Sequence, residues 1–299
     1  MKKILMFINP SSGTAKGKNT IYQIVETFND YNCEVTIYLT GPNTTKDISQ
    51  VLKDRSDDFD IIACYGGDGT LNYLVNTMLA LDIKKPIGYI PGGSTNDFAH
   101  NFFDASDINQ ICKEIALGEA KPFDVGSFNG KYFNYVAAFG AFTTVSYSTD
   151  QNMKNILGHG AYIVNAVGTL NESLTYKRHL VIEHDGETLE GDFIYGGISN
   201  STQVGGMQLA DTDIQLSDGY FEVMLVPSPT SASNLASELG QLVSKNTEDK
   251  YIIHFKTKHM KITSADMIDW TIDGEFGGSY KEVEINVLPS AMAIVTKEK

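Results

Sequence analysis

One segment of the chain, residues 60–81 (DIIACYGGDGTLNYLVNTMLAL), constrains the fold more than any other. It opens with an apolar run typical of a buried strand, and it closes with a run whose apolar residues recur at the helical period. Three glycines surround one aspartate between the two runs: Gly66, Gly67, Asp68 and Gly69. A strand, a glycine-rich loop and a helix in this order predict a unit of a parallel sheet.

The same alternation runs through the first part of the chain, to about residue 125. Further strands are predicted at residues 4–8, 34–39 and 87–90, and a further helix at residues 20–29. Residues 91–102 (PGGSTNDFAHNF) are expected to turn from the fourth strand into another helix. This order predicts an α/β domain with a parallel sheet and helices on both faces.

The pattern changes after about residue 124. Asn129-Gly130 and Asp185-Gly186 stand between strand-like flanks, which indicates two tight hairpins. Helical segments are expected at residues 160–170 and 231–244. Residues of about 125–290 are therefore predicted to form a second, mostly antiparallel β domain.

Charge and cysteine content narrow the classes of function. The 299 residues carry a formal net charge of −14, which argues against a nucleic-acid partner. Cys33, Cys64 and Cys112 are far apart and lack metal-type spacing, so we expect reduced, buried thiols in a cytoplasmic protein. The apolar run at residues 4–8 is too short for a signal peptide, and no run approaches the roughly 20 residues of a membrane span.

Three loops at predicted strand ends, residues 9–13, 66–70 and 91–97, carry glycine or proline. Such loops converge at the carboxyl edge of a parallel sheet, where glycine lets the backbone approach a ligand and helix N-termini attract anions. The loops match neither the Walker A pattern nor the dinucleotide fingerprint. An aspartate inside a phosphate loop is explained if it contacts ribose or acts through Mg²⁺.

Each feature alone also has a structural explanation. A single glycine loop is an ordinary strand-to-helix turn, and Asp97 could cap the following helix. Asp124 could be a surface turn acid, and Asp273-Gly274 could be only a hairpin turn. Residues 217–219 (SDG) could likewise be a turn that leads into a strand.

The motifs NPSSG, GGDGTLN and GSTNDFA, in this order, resemble the diacylglycerol kinase catalytic domain that bacterial lipid kinases share with sphingosine kinases. LSDGYFEV and IDGE fit the same family, so the resemblance spans nearly the whole chain. GGDG alone is also typical of NAD kinases, which are similar in fold. The NDFA loop stands where those enzymes have an Asn-Glu pair.

The resemblance implies a three-layer α/β nucleotide domain over residues 1–125, completed by a returning strand at about 290–299. Residues 126–289 would form a β-sandwich that carries the lipid, and ATP would lie in the cleft. The implied nucleotide contacts are Asn9, Pro10, Ser11, Ser12, Gly13, Thr40, Gly66, Gly67, Asp68, Gly69, Thr70, Leu71, Asn72, Thr95 and Asn96.

The resemblance also implies two metal sites and an acid pair. Asp68, Asp97 and Asp124 match acidic positions around a catalytic Mg²⁺. A second, structural Mg²⁺ would be bound by the Asp218 carboxylate and the carbonyls of Gln215 and Tyr220. Asp273 or Glu275 would accept the proton of the attacking lipid hydroxyl.

Two positions depart from the family pattern. His100 stands where many relatives have a basic residue after NDFA. Residues 161–170 match a helix in which some bacterial members carry a lysine, but here they contain none, and Asn165 is the polar residue. Lys16 and Lys18 are the remaining candidates for positive charge near the phosphates.

The leading hypothesis is therefore an ATP- and Mg²⁺-dependent lipid kinase that converts diacylglycerol to phosphatidate. The alternatives are another lipid alcohol or NAD as acceptor, and a nucleotide-binding module without catalysis. The expected partners are ATP and a lipid at a membrane surface, reached by peripheral contact, with no nucleic acid. Relatives are often dimers, and the sequence leaves open whether this chain forms a homodimer.

Overall fold

The computed structural model describes residues 1–10, 17–41, 47–93, 96–103, 107–140, 177–201, 203–204, 207–208, 214–228 and 252–297. The chain divides into two compact units, one of Met1–Phe123 with Ser290–Lys299 and one of Asp124–Pro289. The helices predicted at residues 160–170 and 231–244 lie outside the described residues.

The described strands are β1 (Lys2–Ile8), β2 (Cys33–Leu39), β3 (Ile61–Gly66), β4 (Ile87–Pro91), β5 (Glu119–Phe128), β6 (Lys131–Phe133), β7 (Val136–Gly140), β8 (Arg178–His184), β9 (Glu187–Ser199), β10 (Gln203–Val204), β11 (Met207–Gln208), β12 (Phe221–Pro227), β13 (Ile253–Thr257), β14 (His259–Ile272) and β15 (Glu275–Thr296). The helices are α1 (Gly17–Asp30), α2 (Ile48–Arg55), α3 (Asp68–Ala80) and α4 (Ile108–Leu117). Two short 3₁₀ helices cover Ser56–Asp58 and Asp97–Asn101.

The first unit is built on a parallel sheet. Its strands run in the order β2-β1-β3-β4, and the end of β15 pairs in parallel with β4, where Ile294 faces Ile87. The apolar residues Ile4–Ile8 of β1 are almost completely buried, as expected for a strand covered on both faces. The carboxyl ends of β1, β3 and β4 therefore point toward the same edge of this sheet.

The second unit is antiparallel. Its strands follow the order β13-β12-β9-β7-β14-β15, and β8 pairs with both β9 and β14. The fully buried Trp270 packs edge-on against Phe128 and Phe139 at the centre of its core. Phe133 and Ala137 belong to the same core, so the described part of the YFNYVAAFGAF segment packs the interior of this unit.

The predicted hairpins are confirmed. Asn129 and Asp185 have φ of 45° and are each followed by a glycine with positive φ, as the tight two-residue turn requires. The same turn joins β14 to β15, because Asp273 has φ of 47° and Gly274 of 83°. Asparagine and aspartate tolerate this conformation better than other residues with a side chain.

The mixed α/β, strand-rich architecture agrees with the sequence, whereas some local details do not. Residues 97–101 form a 3₁₀ helix rather than an α-helix, and α1 begins three residues before the expected start. Helices α2 and α4 were not predicted, although Asp107 caps α4 by accepting the Asn109 N–H. The three-layer arrangement and the β-sandwich remain predictions. Among the described residues, no helix has the length and apolar character that a membrane span requires.

Candidate functional site

Asp68 of the GGDGT loop connects two loops of the first unit. Its Oδ2 accepts the backbone N–H of Asp97 at 3.0 Å, and its Oδ1 accepts that of Phe98 at 3.3 Å. The hydroxyl of the buried Tyr89 also donates to Asp68 Oδ1, at 3.3 Å. Asp68 stands in the first turn of α3, so its negative charge is favoured by the N-termini of both this helix and the 3₁₀ helix.

These contacts explain why an aspartate is present in a glycine loop. The Asp68 carboxylate points to backbone donors of the NDFA loop, so the two motifs that define the sequence pattern are held together. Burial, followed by the charge of Asp68, raises the pKa of the Tyr89 hydroxyl well above its ordinary value, so the hydroxyl remains a donor. The Asp68 side chain therefore caps the 3₁₀ helix. Asn96, and not Asp97, occupies the N-cap position of this helix.

The glycines of the two loops allow their backbones to touch. A Cβ atom on Gly93 would lie 2.7 Å from Gly67 Cα and 2.8 Å from Asn96 Oδ1. Gly92 N–H donates to Gly66 O at 2.7 Å, and the Asn96 side chain both donates to and accepts from Gly93. Asn96 has φ of 54°, a left-handed conformation that asparagine tolerates better than most residues.

The loops after β1 and β2 reach the same sheet edge. Asn9 Nδ2 donates to Thr70 Oγ1 at 3.4 Å, and Asn9 N–H donates to Tyr65 O at 3.1 Å. Thr40 donates through its N–H and its hydroxyl to Ile8 O. Leu71 is fully buried, so its side chain packs the core and only its backbone can contact a ligand.

The structure therefore brings part of the predicted nucleotide set together at one edge of the first sheet. These described residues are Asn9, Thr40, Gly66, Gly67, Asp68, Thr70 and Asn96, and Asp97 of the predicted metal set lies beside Asp68. Pro10, after β1, and Gly69, in the first turn of α3, are exposed, and Asn72 accepts from Asn76 within α3. Ser11, Ser12, Gly13, Thr95, Lys16 and Asn165 lie outside the described residues, as does the side chain of Lys18.

Asp124 begins the second unit and is completely buried. Its N–H donates to Leu216 O at 2.7 Å, and its Oδ2 accepts the Gly219 N–H at 2.7 Å. Asp124 is thus joined to the segment 214–220, which carries the second set of predicted metal ligands, and it is not the surface acid that its sequence context allowed.

The Asp218 carboxylate, in that segment, lies beside the ammonium group of a lysine. Its Oδ1 accepts the Tyr220 N–H at 3.0 Å, and its Oδ2 lies 3.3 Å from Lys256 Nζ. Lys256 also contacts Glu222 at 3.0 Å, and this contact raises the pKa of the ammonium group. Burial raises the pKa of the Glu222 carboxyl, and Lys256 opposes that shift. Gln215 is exposed.

Asp273 lies in the β14–β15 turn with only 4% of its surface exposed. Its carboxylate accepts three backbone N–H bonds, from Asn134 at 2.7 Å, Tyr135 at 3.1 Å and Val136 at 3.0 Å. Such bonds favour the ionised form of a carboxyl group and fix its position. Glu275, two residues later, is exposed.

Comparison with known proteins gives these loops a context. Residues 3–128 match the family model of the diacylglycerol kinase catalytic domain. The chain is 29% identical over 301 residues to a diacylglycerol kinase of Bacillus subtilis (strain 168), covering 100% of this chain and 98% of the relative. It is 28% identical over 284 residues to a diacylglycerol kinase of Staphylococcus carnosus (strain TM300), covering 93% and 90%. The resemblance to the diacylglycerol kinase catalytic-domain family is confirmed.

Solved structures of similar proteins have the same fold as this chain. A protein of Bacillus anthracis str. Sterne superposes with a TM-score of 0.83 at 23% identity, over 99% of this chain and 97% of that chain. A second structure from the same strain gives a TM-score of 0.76 at 20% identity. At these identities the likeness shows the fold alone.

Sequence reasoning missed three residues that the structure places beside the predicted ones. Tyr89 and Lys256 contact Asp68 and Asp218, and Asn200 donates to the backbone at Asp124. A tyrosine inside a strand and a lysine in an alternating strand carry no local signal of such contacts. Asn200 follows a buried strand, which is the one available hint. Among the described residues, no group of three or more His, Cys, Asp or Glu side chains could hold a metal ion.

Proposed function

We propose that the protein is an ATP- and Mg²⁺-dependent lipid kinase that transfers the γ-phosphoryl group to a lipid hydroxyl, with diacylglycerol as acceptor and phosphatidate as product. The observation that carries the proposal is the Asp68 contact, which holds the GGDGT and NDFA loops together at the carboxyl edge of a parallel sheet. Relatives named diacylglycerol kinase that align over the whole chain support the choice of acceptor.

The nucleotide would bind to the first unit. Its phosphates would meet the start of α3, whose N-terminus attracts anions and where the glycines of the GGDGT loop leave no side chain in the way. Asn9, Thr40 and Asn96 surround the same edge with polar groups. Phosphoryl transfer depends chiefly on such positioning, because the transition state needs little covalent help.

We propose that the predicted acids of the first metal site bind Mg²⁺ through its waters. Asp68 already accepts hydrogen bonds from Tyr89, Asp97 and Phe98. Few of its lone pairs remain for direct contact with an ion, so we expect Asp68 to bind the ion through water molecules. Asp97 is buried in the first unit and Asp124 in the second, and each carboxylate matches an acidic position predicted for this ion. Mg²⁺ typically keeps several waters and binds one or two carboxylates together with phosphates. When bound, it would neutralise charge on the transferring group.

The second predicted metal site fits a divalent ion poorly. Asp218 is its single carboxylate, and both of its oxygens have partners, one of which is the Lys256 ammonium group. We derive no step from this site.

Asp273 is the better placed of the two candidate proton acceptors. Three backbone donors hold its carboxylate, whereas Glu275 is exposed. In a loose transition state the acceptor needs correct position more than high proton affinity. We therefore propose that Asp273 accepts the hydroxyl proton and that Glu275 orients the acceptor lipid.

A lipid acceptor implies contact with a membrane surface. We propose a cytoplasmic protein that binds membranes peripherally and forms a homodimer. Co-flotation with vesicles that contain diacylglycerol tests the first point, and sedimentation velocity tests the second. Failure to float would contradict membrane contact, and a monomer at micromolar concentration would contradict the dimer.

The deciding experiment measures phosphate transfer from γ-labelled ATP, with Mg²⁺ or EDTA, to a panel of diacylglycerol, other lipid alcohols and NAD. The wild type should label diacylglycerol, and Asp68→Asn and Asp273→Asn should each lower kcat by about 10²-fold. Asp60→Asn is the matched control, because Asp60 lies at the opposite end of β3, where its Oδ2 accepts the exposed N–H of Lys3. It should keep the wild-type rate.

The outcomes separate the candidates. Label on another lipid alone keeps the mechanism and changes the acceptor. Label on NAD contradicts the lipid kinase. ATP binding without transfer to any acceptor favours the module without catalysis.

A further inference from the structure

Asn200 lies directly after β9 and is completely buried. Its hydrogen bonds reach three segments that are distant in sequence. The backbone N–H donates to Tyr135 O at 2.9 Å, and the side-chain Nδ2 donates to Asp124 O at 3.0 Å and to Leu216 O at 3.1 Å. One residue thus joins three segments, two of which are also linked directly by the Asp124 N–H to Leu216 O.

Each segment carries a candidate site residue. Tyr135 and its two neighbours donate their N–H groups to the Asp273 carboxylate. Asp124 is a predicted acid of the first metal site, and Leu216 precedes Asp218 by two residues. Because Asp124 also exchanges backbone contacts with this segment, Asn200 completes a continuous hydrogen-bonded connection from Asp124 to the residues that hold Asp273.

An asparagine suits this position because its amide group provides two N–H donors. Both donors face carbonyl oxygens, which fixes the orientation of the amide and leaves Oδ1 on the opposite side. Oδ1 is buried, and no hydrogen-bond partner for it occurs in the described part of the chain. Because buried acceptors are rarely left unpaired, we expect a water molecule or a polar group of a ligand to donate to Oδ1.

We propose that Asn200 is a positioning residue for phosphoryl transfer, acting by keeping Asp124 in register with the turn that carries Asp273. The proposal rests on the lipid kinase function proposed above. Replacing Asn200 by aspartate keeps the shape of the side chain but exchanges a donor for a charged oxygen. That oxygen would face the carbonyls of Asp124 and Leu216, so these backbone segments would move apart. A displacement of about 1 Å in a catalytic arrangement costs on the order of 10²-fold in rate.

The test compares Asn200→Asp with Asn129→Asp. Asn129 is a matched control because its Nδ2 also donates to a distant backbone carbonyl of the second unit, Glu282 O at 3.1 Å, yet it stands in an exposed turn away from the candidate acids. For each protein we would measure kcat, the KM of both substrates, the Kd of ATP and the unfolding midpoint. Asn200→Ser, which keeps one donor, and Asn200→Ala provide a second route if the aspartate variant does not fold.

For Asn200→Asp we expect kcat to fall by about 10²-fold while the Kd of ATP stays within about twofold of wild type, because the nucleotide loops belong to the first unit. Asn200→Ser should retain more of the rate than Asn200→Ala, and Asn129→Asp should keep it. A folded Asn200 variant with kcat within about threefold of wild type, despite a lower unfolding midpoint, would overturn the proposal and leave Asn200 a purely structural role. A wild-type protein that transfers no phosphate would instead contradict the lipid kinase function itself.

Discussion

The contact between the two glycine loops leads to a quantitative prediction. In Gly93→Ala the added Cβ would lie 2.7 Å from Gly67 Cα, whereas ordinary contacts begin at 3.4 Å. The loops must therefore separate by about 1 Å, or the Asn96 side chain must give way on the other side. Overpacking of this kind costs about 1–3 kcal/mol in unfolding free energy.

The consequence for ligand binding should exceed the consequence for stability. Asp68 spans the same two loops through bonds of 3.0 Å and 3.3 Å, and a separation of about 1 Å lengthens these bonds beyond useful range. We expect Gly93→Ala to weaken ATP binding by about tenfold or more, measured by isothermal titration calorimetry with Mg²⁺ present. Thermal unfolding of the same samples supplies the stability change.

Gly88→Ala provides the control. Its Cβ would lie 2.9 Å from Ile115 Cγ2 and 3.2 Å from the Cβ of Ala63, so it overpacks the interior of the same unit five positions before Gly93. It should lower the unfolding midpoint by a similar amount and leave the Kd of ATP nearly unchanged. Equal Kd values in both variants would refute the assignment of the loop contact to nucleotide binding.

Two further predictions concern charged groups of the second unit. Lys256→Met removes the ammonium group beside Asp218 and Glu222, so we expect the free energy of unfolding to fall by about 1 kcal/mol. Millimolar Mg²⁺ should then stabilise the variant more than it stabilises the wild type. Equal stabilisation of both proteins would contradict the view that Lys256 balances the charge of these carboxylates. Hydrogen bonds to Asp192, then Glu190, raise the pKa of His179, so its contribution to stability is complete below the ordinary pKa of about 6.5 and is lost as pH rises through the raised value. His179→Gln should therefore lower the unfolding midpoint more at acidic than at alkaline pH, and an equal loss at both would exclude this linkage.

The strand-end loops could be predicted from the sequence because their signals are local. An apolar run before GGDGT and a helical period after it are enough to locate the turn, and parallel strands then bring their ends to one edge. The hairpin turn at Asp273 was equally readable, because the dipeptide with glycine specifies the turn type.

The partners of these residues could not be predicted in the same way. Asp68 binds backbone groups 29 and 30 positions away, and Asn200 donates to a carbonyl 76 positions away. Such contacts depend on how the elements pack, and a backbone N–H or carbonyl is present at almost every residue, so the sequence holds no mark of which one is used. For the same reason, the resemblance named Asp68 and Asp273 without indicating that backbone donors hold them.

Strand β15 has a consequence for the synthesis of the protein. Residues up to Pro289 belong to the second unit and residues from Ser290 to the first, where Ile294 pairs with Ile87 and Thr296 donates to Phe102 O. During translation the first unit therefore leaves the ribosome with the edge of β4 uncovered until the whole second unit has been made. An uncovered strand edge invites pairing with other chains. Nascent chains that stall within the second unit should consequently be the ones that require chaperones.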